Sequence, residues 1–328
     1  MPLPRWIYCA KSCCAIWKPI SRNTVYAAPV RIINKDVCSD IRTMTMTLFI
    51  LGAILLLYLL FTLFLTYIVQ QIPRNPVNSP PDWGRTIDAK IPTGEGRGRY
   101  LEVWRIEPDM PSRGTVIFAH GWGRNRDRMV SRARFFGHWG FTAVIHSARD
   151  HGKSSPRRFM NAVRFAEDIE SVLRWVDEPV ILYGHSAGAG GAAIAASRNS
   201  GQIKLLLLEA CYADTQEALL SLYRWFNPLF GILFGPTILF WMNLFYRNRL
   251  DEVSPIYLVP SIRIPVMLIH GKEDKRFPLE FAVRLKDSFP SGQATLYIAE
   301  GVGHSDSSRT PGYPKAVRSF VDRYWPAG

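Results

Sequence analysis

A serine, an aspartate and a histidine in this chain have the types and the spacing needed for nucleophilic catalysis. Ser186 lies in the pentapeptide Gly-His-Ser-Ala-Gly, Asp274 ends the segment Gly-Lys-Glu-Asp, and His304 ends the segment Gly-Val-Gly-His. A serine hydroxyl becomes a strong nucleophile when a histidine takes its proton, and an acid holds that histidine in the required tautomer. The three residues therefore predict acyl transfer through an acyl-enzyme on Ser186, with His304 as general base and then general acid.

Each of these residues follows an apolar run of strand length. The runs are Val180–Tyr183 before the serine, Val266–His270 before the aspartate and Ala294–Ile298 before the histidine. A serine between two glycines suits a strained strand-to-helix turn, because a side chain at either glycine would clash there. With that turn, the acid and the histidine follow in this chain order, each after a strand. Glu273 and Asp214 are alternative candidates for the acid.

The segment His-Gly-Trp-Gly at positions 120–123 follows another apolar run, Thr115–Ala119. Its glycines let the backbone approach closely, so the amide of Trp122 can point at a developing oxyanion beside the amide of Ala187. Both residues would act through the backbone, and we expect substitution of either side chain to act only indirectly.

Other histidines raise the question of a metal site. His146 lies near Asp150 and His151, and His270 lies shortly before the candidate acid. Ligands at useful spacing on one element are lacking, and polar residues at strand ends are the simpler interpretation. We therefore predict no metal and no cofactor, and a structural turn at 149–154.

Strand-like and helix-like runs alternate through the last two thirds of the chain. Short apolar strands separated by helices predict an α/β fold with a mainly parallel sheet covered on both faces. The remaining predicted strands are Tyr100–Ile106, Phe141–His146 and Lys204–Glu209, and the predicted helices are Asn161–Val176, Ala187–Ser197 and Lys315–Trp325.

The N-terminal part contains a stretch long and apolar enough to cross a membrane. No charged residue occurs between Thr43 and Pro73, and Leu48–Val69 is almost wholly apolar, which suffices for a hydrocarbon core of about 30 Å. We predict a transmembrane helix at 47–70 that is not cleaved, since no small-residue cleavage site follows it. Residues 1–46 are predicted to be a disordered leader, or residues upstream of a true start at Met44 or Met46.

The orientation of this anchor stays open, because cations flank the apolar stretch equally on both sides. Counting the basic residues of the whole leader places the N-terminus in the cytoplasm. A start at Met44 or Met46 would instead favour a cytoplasmic catalytic domain.

Two further segments complete the domain plan. Residues 71–98 are rich in proline and glycine and are predicted to be a linker before the main domain at 99–328. The uncharged stretch Trp225–Tyr246 has the length of a second span, but one crossing there would separate Ser186 from its acid and histidine. We predict instead an aromatic-rich helical cap at about 212–262, in contact with the lipid interface.

The chain is basic, with 40 Lys and Arg against 27 Asp and Glu and a formal net charge of +13. The basic residues are scattered, and no recognition helix, zinc spacing or RNA-binding strand accompanies them, which argues against a nucleic-acid partner. Attraction to an anionic membrane surface explains the charge more simply. Four of the five cysteines precede residue 40, so the main domain, with Cys211 alone, requires no disulfide. Palmitoylation of the leader cysteines is an alternative to a plain disordered leader.

These motifs together resemble the α/β-hydrolase superfamily from about residue 99 to the C-terminus. They are most similar to the subgroup of serine aminopeptidases and lysophospholipase-like enzymes, which includes membrane-anchored bacterial hydrolases. The matching segments are 120–123, 184–188, 271–274 and 303–304, and Ser254-Pro255-Ile256 is also similar. The resemblance implies an α/β-hydrolase fold and a serine hydrolase, and leaves the substrate open.

The leading functional hypothesis is hydrolysis of an ester, thioester or amide, with the cap and the anchor favouring a small-molecule or lipid acyl substrate such as a lysophospholipid. One alternative is a serine peptidase, although no charged cap residue stands out to fix a peptide terminus. Another alternative is a non-catalytic membrane scaffold, which would be expected to have lost one of the three catalytic positions. Membrane lipids are the predicted partners and a single-pass membrane location is the predicted localisation.

Overall fold

The computed structural model describes residues 35–325 except 95, 97, 199, 200 and 248. The predicted leader therefore lies largely outside the described residues, together with Cys9, Cys13 and Cys14. The chain divides between Phe61 and Thr62 into two compact units.

The N-terminal helix α1 comprises Lys35–Ile68, so it begins twelve residues before the predicted span. The helix extends beyond the predicted span because the polar residues before the apolar stretch contain neither proline nor glycine. The hydroxyls of Thr43, Thr45 and Thr47 each donate to the carbonyl four residues earlier, which satisfies them within the helix. Within the described residues, Ser39–Ile68 is the segment whose length and hydropathy suit a membrane crossing.

The second unit is built on one sheet of eight strands in the order β1-β2-β4-β3-β5-β6-β7-β8. Strand β2 pairs antiparallel with both of its neighbours, β1 and β4. All the other pairs in the sheet are parallel. The strands are β1 Arg85–Pro92, β2 Tyr100–Glu107, β3 Thr115–Ala119, β4 Thr142–His146, β5 Val180–His185, β6 Ile203–Glu209, β7 Val266–Gly271 and β8 Ala294–Ala299. The predicted mainly parallel sheet is confirmed.

Helices cover both faces of this sheet. The helices are α2 Val130–His138, α3 Ala162–Val176, α4 Ala187–Arg198, α5 Thr215–Phe226, α6 Pro228–Leu233, α7 Gly235–Phe245, α8 Pro255–Leu258, α9 Leu279–Ser288 and α10 Gly312–Tyr324. Alternate strand residues enter two separate apolar cores: Ile117 belongs to the core that includes residues of α3, α4 and α9, and Phe118 belongs to the core that includes residues of α2 and α10. The period of two along each strand therefore joins both helix layers to one sheet.

The predicted linker at 71–98 is partly an element of the sheet, which corrects the sequence interpretation. Residues 85–92 form β1, which pairs with β2 along its whole length and buries Ile91. The proline-rich part before it is held to the domain, since the side chain of Asn125 donates to the carbonyls of Asn75 and Pro76. The alternation of Ile87, Ala89 and Ile91 is short and lies among prolines and glycines, so composition concealed an edge strand.

The uncharged stretch after β6 is divided into short helices. Asn227 has extended backbone between α5 and α6, and its side chain caps α6 by accepting the amide of Phe230. Proline at the second position of α7 begins another helix after Phe234. The longest of the three helices has 12 residues, about 18 Å at 1.5 Å per residue, which is too short to cross a membrane.

Candidate active site

Ser186 occupies a sharp turn between β5 and α4. Its φ of +56° lies in the left-handed region, which is unusual for a residue with a side chain. Backbone bonds hold the turn: the Ser186 amide donates to the carbonyl of Glu209 at 2.9 Å, and its carbonyl accepts from the amides of Ala189 and Gly190. Because β5 feeds directly into the turn, the hydroxyl is presented at the carboxyl edge of the parallel strands.

The glycines on either side of the serine are required by close backbone approach. A Cβ at Gly184 would lie 2.6 Å from the Cα of Ala189, and a Cβ at Gly188 would lie 2.4 Å from the carbonyl oxygen of His120. Neither contact can be relieved by moving a flexible side chain. The Gly-x-Ser-x-Gly pattern thus follows from the packing of the turn against α4 and the end of β3.

His304 and Asp274 lie on the loops after β8 and β7, and these loops meet at Ser186. His304 Nε2 is 2.9 Å from the Ser186 hydroxyl oxygen, and His304 Nδ1 is 2.7 Å from Asp274 Oδ2. The hydrogen-bond network assigns the ring proton to Nδ1, which donates to the carboxylate and leaves Nε2 to accept from the serine. The Phe277 ring packs edge-on against the imidazole, with centroids 5.0 Å apart.

The carboxylate of Asp274 is fixed by several donors. Its Oδ1 accepts the backbone amides of Arg276 and Phe277 at 2.9 and 3.0 Å. Burial alone would raise its pKa, but the hydrogen bond and charge of His304, the Phe277 amide and the nearby His270 together hold the pKa below its ordinary value. The side chain is fully buried, so the negative charge is directed at the imidazole.

The two alternative acids lie elsewhere. Glu273 is exposed on the surface. Asp214 is the N-cap of α5, where its carboxylate accepts the amide of Glu217 at 2.9 Å. The structure therefore brings Asp274, and neither of these, to the histidine.

The segment 120–123 lies against the serine turn. A Cβ built on Gly121 would be 3.0 Å from the Cβ of Ser186. Among the described residues, the backbone amides of Trp122 and Ala187 have no hydrogen-bond acceptor. Two unsatisfied donors flanking a nucleophile are the feature expected where a negative oxygen develops.

Two buried histidines hold this segment in place, a role that the sequence interpretation missed. His120 Nδ1 donates to the carbonyl of Gly121 at 2.8 Å, and its Nε2 accepts the amide of Ala148 at 2.9 Å. His151 uses the same tautomer, donating to the carbonyl of Arg149 and accepting the amide of Gly123 at 3.2 Å. Burial lowers the pKa of both, that of His151 to about 4, and both are therefore neutral at physiological pH.

A buried ion pair connects the strand end behind Ser186 to the loop that carries His304. Arg132 of α2 makes a two-pronged bond to the carboxylate of Glu209 at the end of β6, and also donates to the carbonyl of Ser305 at 3.1 Å. The phenol of Tyr183 donates to the same carboxylate at 2.7 Å. The sequence signal for this ion pair was Glu209 at the end of a run of four leucines. An apolar strand that ends in a buried carboxylate requires a cation as its partner.

The remaining polar residues predicted from sequence have structural roles. His146 is fully buried in β4, and residues 149–154 form a turn in which Asp150 and Gly152 have positive φ. Among the described residues, no three His, Cys, Asp or Glu side chains are grouped as metal ligands would be.

The sheet order, the serine turn after β5 and the acid and histidine after β7 and β8 are the features of an α/β-hydrolase fold. A model of the family described as serine aminopeptidase, S33, matches residues 110–249. The monoacylglycerol lipase of Mycolicibacterium smegmatis is 30% identical over 238 residues, 62% of this chain and 84% of that protein. The protein YqkD of Bacillus subtilis is 26% identical over 237 residues, 69% of this chain and 76% of its own length.

The solved structure of a Pyrococcus furiosus esterase superposes with a TM-score of 0.63 at 18% identity, covering 78% of this chain and 100% of that one. The chain belongs to the α/β-hydrolase superfamily, in the subgroup of serine aminopeptidases and lysophospholipase-like enzymes, and it is a serine hydrolase.

Proposed function

We propose that this chain is a membrane-anchored serine esterase that cleaves an apolar acyl ester, such as a lipid or lysophospholipid, through a triad of Ser186, His304 and Asp274. The observation that carries the proposal is the continuous hydrogen-bonded relay from Asp274 through His304 to a serine held at positive φ. Each member is buried or nearly so, which strengthens the electrostatic coupling between them.

In the acylation half of the reaction, the Ser186 oxygen attacks the ester carbonyl while its proton passes to His304 Nε2. The imidazolium that forms is stabilised by the Asp274 carboxylate. The negative oxygen of the tetrahedral intermediate accepts the amides of Trp122 and Ala187. His304 then gives its proton to the departing alkoxide, the carbon–oxygen bond breaks, and the acyl group remains as an ester on Ser186.

In the second half, water takes the place of the alcohol. His304 removes a proton from the water as its oxygen attacks the acyl-enzyme, and the same two amides stabilise the second oxyanion. Collapse returns the proton to the Ser186 oxygen and releases the carboxylic acid. The ester and one water are thereby converted into an acid and an alcohol.

The composition of the cap supports an apolar acyl group. Helices α5–α7 lie between the strand that follows the nucleophile and the strand that carries the acid, and they are rich in leucine and phenylalanine. The similarity to a monoacylglycerol lipase agrees with a long-chain ester. Helix α1 supports membrane anchoring, because its segment Ser39–Ile68 is long and apolar enough to cross a bilayer and most of its large apolar side chains are exposed.

Labelling with a fluorophosphonate probe tests the nucleophile. We expect the wild type and the control variant Ser288→Ala, on α9, to be labelled, and Ser186→Ala to remain unlabelled. Labelling that persists in Ser186→Ala would contradict the assignment. Hydrolysis of p-nitrophenyl esters from acetate to dodecanoate should then rise in kcat/KM with chain length.

The same panel separates the peptidase alternative from the esterase. A flat profile, or faster cleavage of aminoacyl p-nitroanilides than of the esters, would contradict the lipid-ester proposal. Anchoring is tested independently by washing membranes from cells expressing the chain with alkaline carbonate. We expect the protein to stay in the pellet, and its release would contradict an integral anchor.

A further inference from the structure

A pocket of about 510 Å³ that the proposed reaction does not use lies beside the cap. Its wall combines four arginines with aromatic and polar side chains, and none of the described lining residues is acidic. The lining residues are Arg99, Pro156, Arg157, Arg158, Phe159, Asn161, Arg164 and Tyr246. Glu167 pairs with one of the four arginines, Arg164, at the border of the pocket. Since four arginines face this one carboxylate, the pocket carries an excess of positive charge. We call this site the arginine pocket.

The arginine pocket adjoins the C-terminal end of the apolar stretch Leu48–Val69. The ring of Phe159 packs edge-on against Tyr67, with centroids 6.3 Å apart. The phenol of Tyr246, another lining residue, donates to Gln70 Oε1 at 3.4 Å. Two lining residues thus contact the residues with which the apolar stretch ends, where a bilayer would have its headgroups.

The cap contacts the same stretch further from its end. The indole of Trp241 in α7 donates to the hydroxyl of Thr62 at 3.0 Å, and Leu65 and Val69 pack against the apolar cluster of the cap. At 1.5 Å per residue, Thr62 lies about 10 Å before Val69. A helix that crosses a bilayer along this stretch therefore brings α7 below the headgroup level and into the leaflet.

The exposed surface of the cap is apolar, as expected for helices that lie within a leaflet. Seven of its large apolar side chains are each more than half exposed: Phe226, Leu229, Ile232, Leu233, Phe240, Leu244 and Phe245. An exposed apolar patch of this kind is unfavourable in water and marks a contact surface. Since the patch is on helices that pack along an apolar membrane stretch, its occupant is the acyl region of the bilayer.

We propose that the arginine pocket binds the phosphate headgroup of an anionic phospholipid in the leaflet that receives the cap. This inference rests on the membrane anchoring in the proposed function. Guanidinium groups bind phosphate through two parallel hydrogen bonds, and basic pockets at the cytoplasmic or matrix side of membrane segments bind anionic headgroups. Phe159 and Tyr246 supply the amphipathic rings favoured at that depth.

The test measures lipid binding by the full chain in detergent, on a Ser186→Ala background so that no lipid is hydrolysed. Thermal unfolding is followed while dihexanoyl phosphatidylglycerol, dihexanoyl phosphatidylcholine or inorganic phosphate is added. We expect stabilisation by phosphatidylglycerol at concentrations at least tenfold below those at which the other two act. Equal stabilisation by phosphatidylcholine would overturn the anionic selectivity, and equal stabilisation by inorganic phosphate would show a site for free phosphate.

The decisive variant is Arg157→Gln/Arg158→Gln. Two lost cationic contacts should weaken the apparent affinity for phosphatidylglycerol about 30-fold. The control Arg263→Gln/Arg323→Gln removes the same charge from exposed positions in the loop before β7 and in α10, and should keep the wild-type affinity. Unchanged affinity in the pocket variant, or an equal loss in the control, would overturn the site.

Two measures keep these outcomes distinct from other failures. If the double variant does not unfold cooperatively, the exposed Arg158→Gln alone should still weaken binding at least threefold, and unchanged affinity in it counts against the pocket. Ester hydrolysis by the chain with Ser186 intact is measured separately. Its loss would defeat the proposed esterase, whereas lost lipid selectivity with hydrolysis intact defeats only the arginine pocket.

Discussion

Arg132 and Glu209 form a buried, two-pronged ion pair directly behind the candidate nucleophile. Their side chains are 2% and 0% exposed, and the backbone carbonyl of Glu209 accepts the amide of Ser186. Arg132 also donates to the carbonyl of Ser305, next to His304. One ion pair thus joins the loops that carry the serine and the histidine.

Removal of one partner of this pair should be strongly destabilising. We expect Arg132→Met to lower the free energy of unfolding by about 3–5 kcal/mol, because the Glu209 carboxylate would remain buried without its cation. Chemical denaturation measures the change. The double variant Arg132→Met/Glu209→Gln should recover part of that loss, and a double variant that is less stable than the single one would contradict the explanation.

Asp274→Asn tests the role of the acid in orienting His304. An amide in place of the carboxylate can donate to Nδ1 and so favours the wrong tautomer, and we expect kcat to fall about 10³–10⁴-fold. Glu273→Gln, one residue earlier and exposed, is the matched control and should change kcat less than threefold. A comparable loss in both variants would indicate a general defect of the loop.

The lowered pKa of Asp274 gives this acid a defined dependence on pH. A carboxyl whose folded pKa lies below its unfolded value contributes stability above the unfolded value, and this is lost as the pH falls through the folded one. Asp274 therefore stays charged throughout the range from pH 5 to 8. Changes of stability or rate in that range therefore come from groups other than Asp274, among them Asp168, whose pKa burial raises to about 7.

Much of the fold could be predicted from periodicity and from order along the chain. The strand Thr115–Ala119 was predicted with its observed bounds, and the apolar run before Ser186 extends by two residues to His185. These strands are buried on both faces, so their sequences are continuous apolar runs that are easily detected. The meeting of Ser186, Asp274 and His304 followed from one rule, that parallel strands present their carboxyl ends at one edge.

Other features depend on tertiary contacts that spacing does not encode. Strand β1 is an edge strand with mostly exposed residues, so its own apolar signal is weak, and the prolines and glycines on either side of it suggest a linker. Helix α2 was not predicted because buried arginine interrupts its apolar face, and that arginine is favourable only with Glu209, 77 positions away. That His120 and His151 accept hydrogen bonds likewise could not be predicted, because the sequence does not show which backbone amides face their rings.

The buried histidine in β4 predicts acid sensitivity. His146 is fully buried, neither ring nitrogen has a hydrogen-bond partner in the described part of the chain, and burial lowers its pKa to about 4. Between pH 4 and 6.5, His146 is therefore protonated in the unfolded chain and neutral in the folded chain. The resulting stability is complete above the unfolded value of about 6.5 and is lost progressively as the pH falls towards 4.

His146→Leu should remove this dependence. The wild type is expected to lose about 2 kcal/mol between pH 7.5 and pH 5 through this one residue, and the variant should lose correspondingly less. Urea unfolding at both pH values measures the difference. His138→Leu, at the end of α2, is the control and should keep the wild-type pH dependence, whereas an unchanged loss in His146→Leu would show that other groups cause it.

The glycine that follows the serine turn gives the sharpest steric test. In Gly188→Ala, the new methyl group would meet the carbonyl oxygens of His120 and Ala119 at 2.4 and 2.5 Å. Since both are backbone atoms at the end of β3, the turn or the segment 120–123 must shift. We expect kcat/KM to fall at least 100-fold, because a displacement of about 1 Å disrupts catalytic geometry by that factor, and unfolding to occur at lower temperature.

Gly201→Ala is the matched control for this steric argument. A Cβ at Gly201 would have no described atom within 4 Å, so the same substitution there should leave kcat/KM unchanged and stability within about 0.5 kcal/mol. Ester hydrolysis and thermal unfolding of the two variants, measured side by side, separate the effect of a methyl group from the effect of its position. Wild-type kcat/KM in Gly188→Ala would show that the turn can relax, and that the close approach of α4 to β3 is not what fixes Ser186.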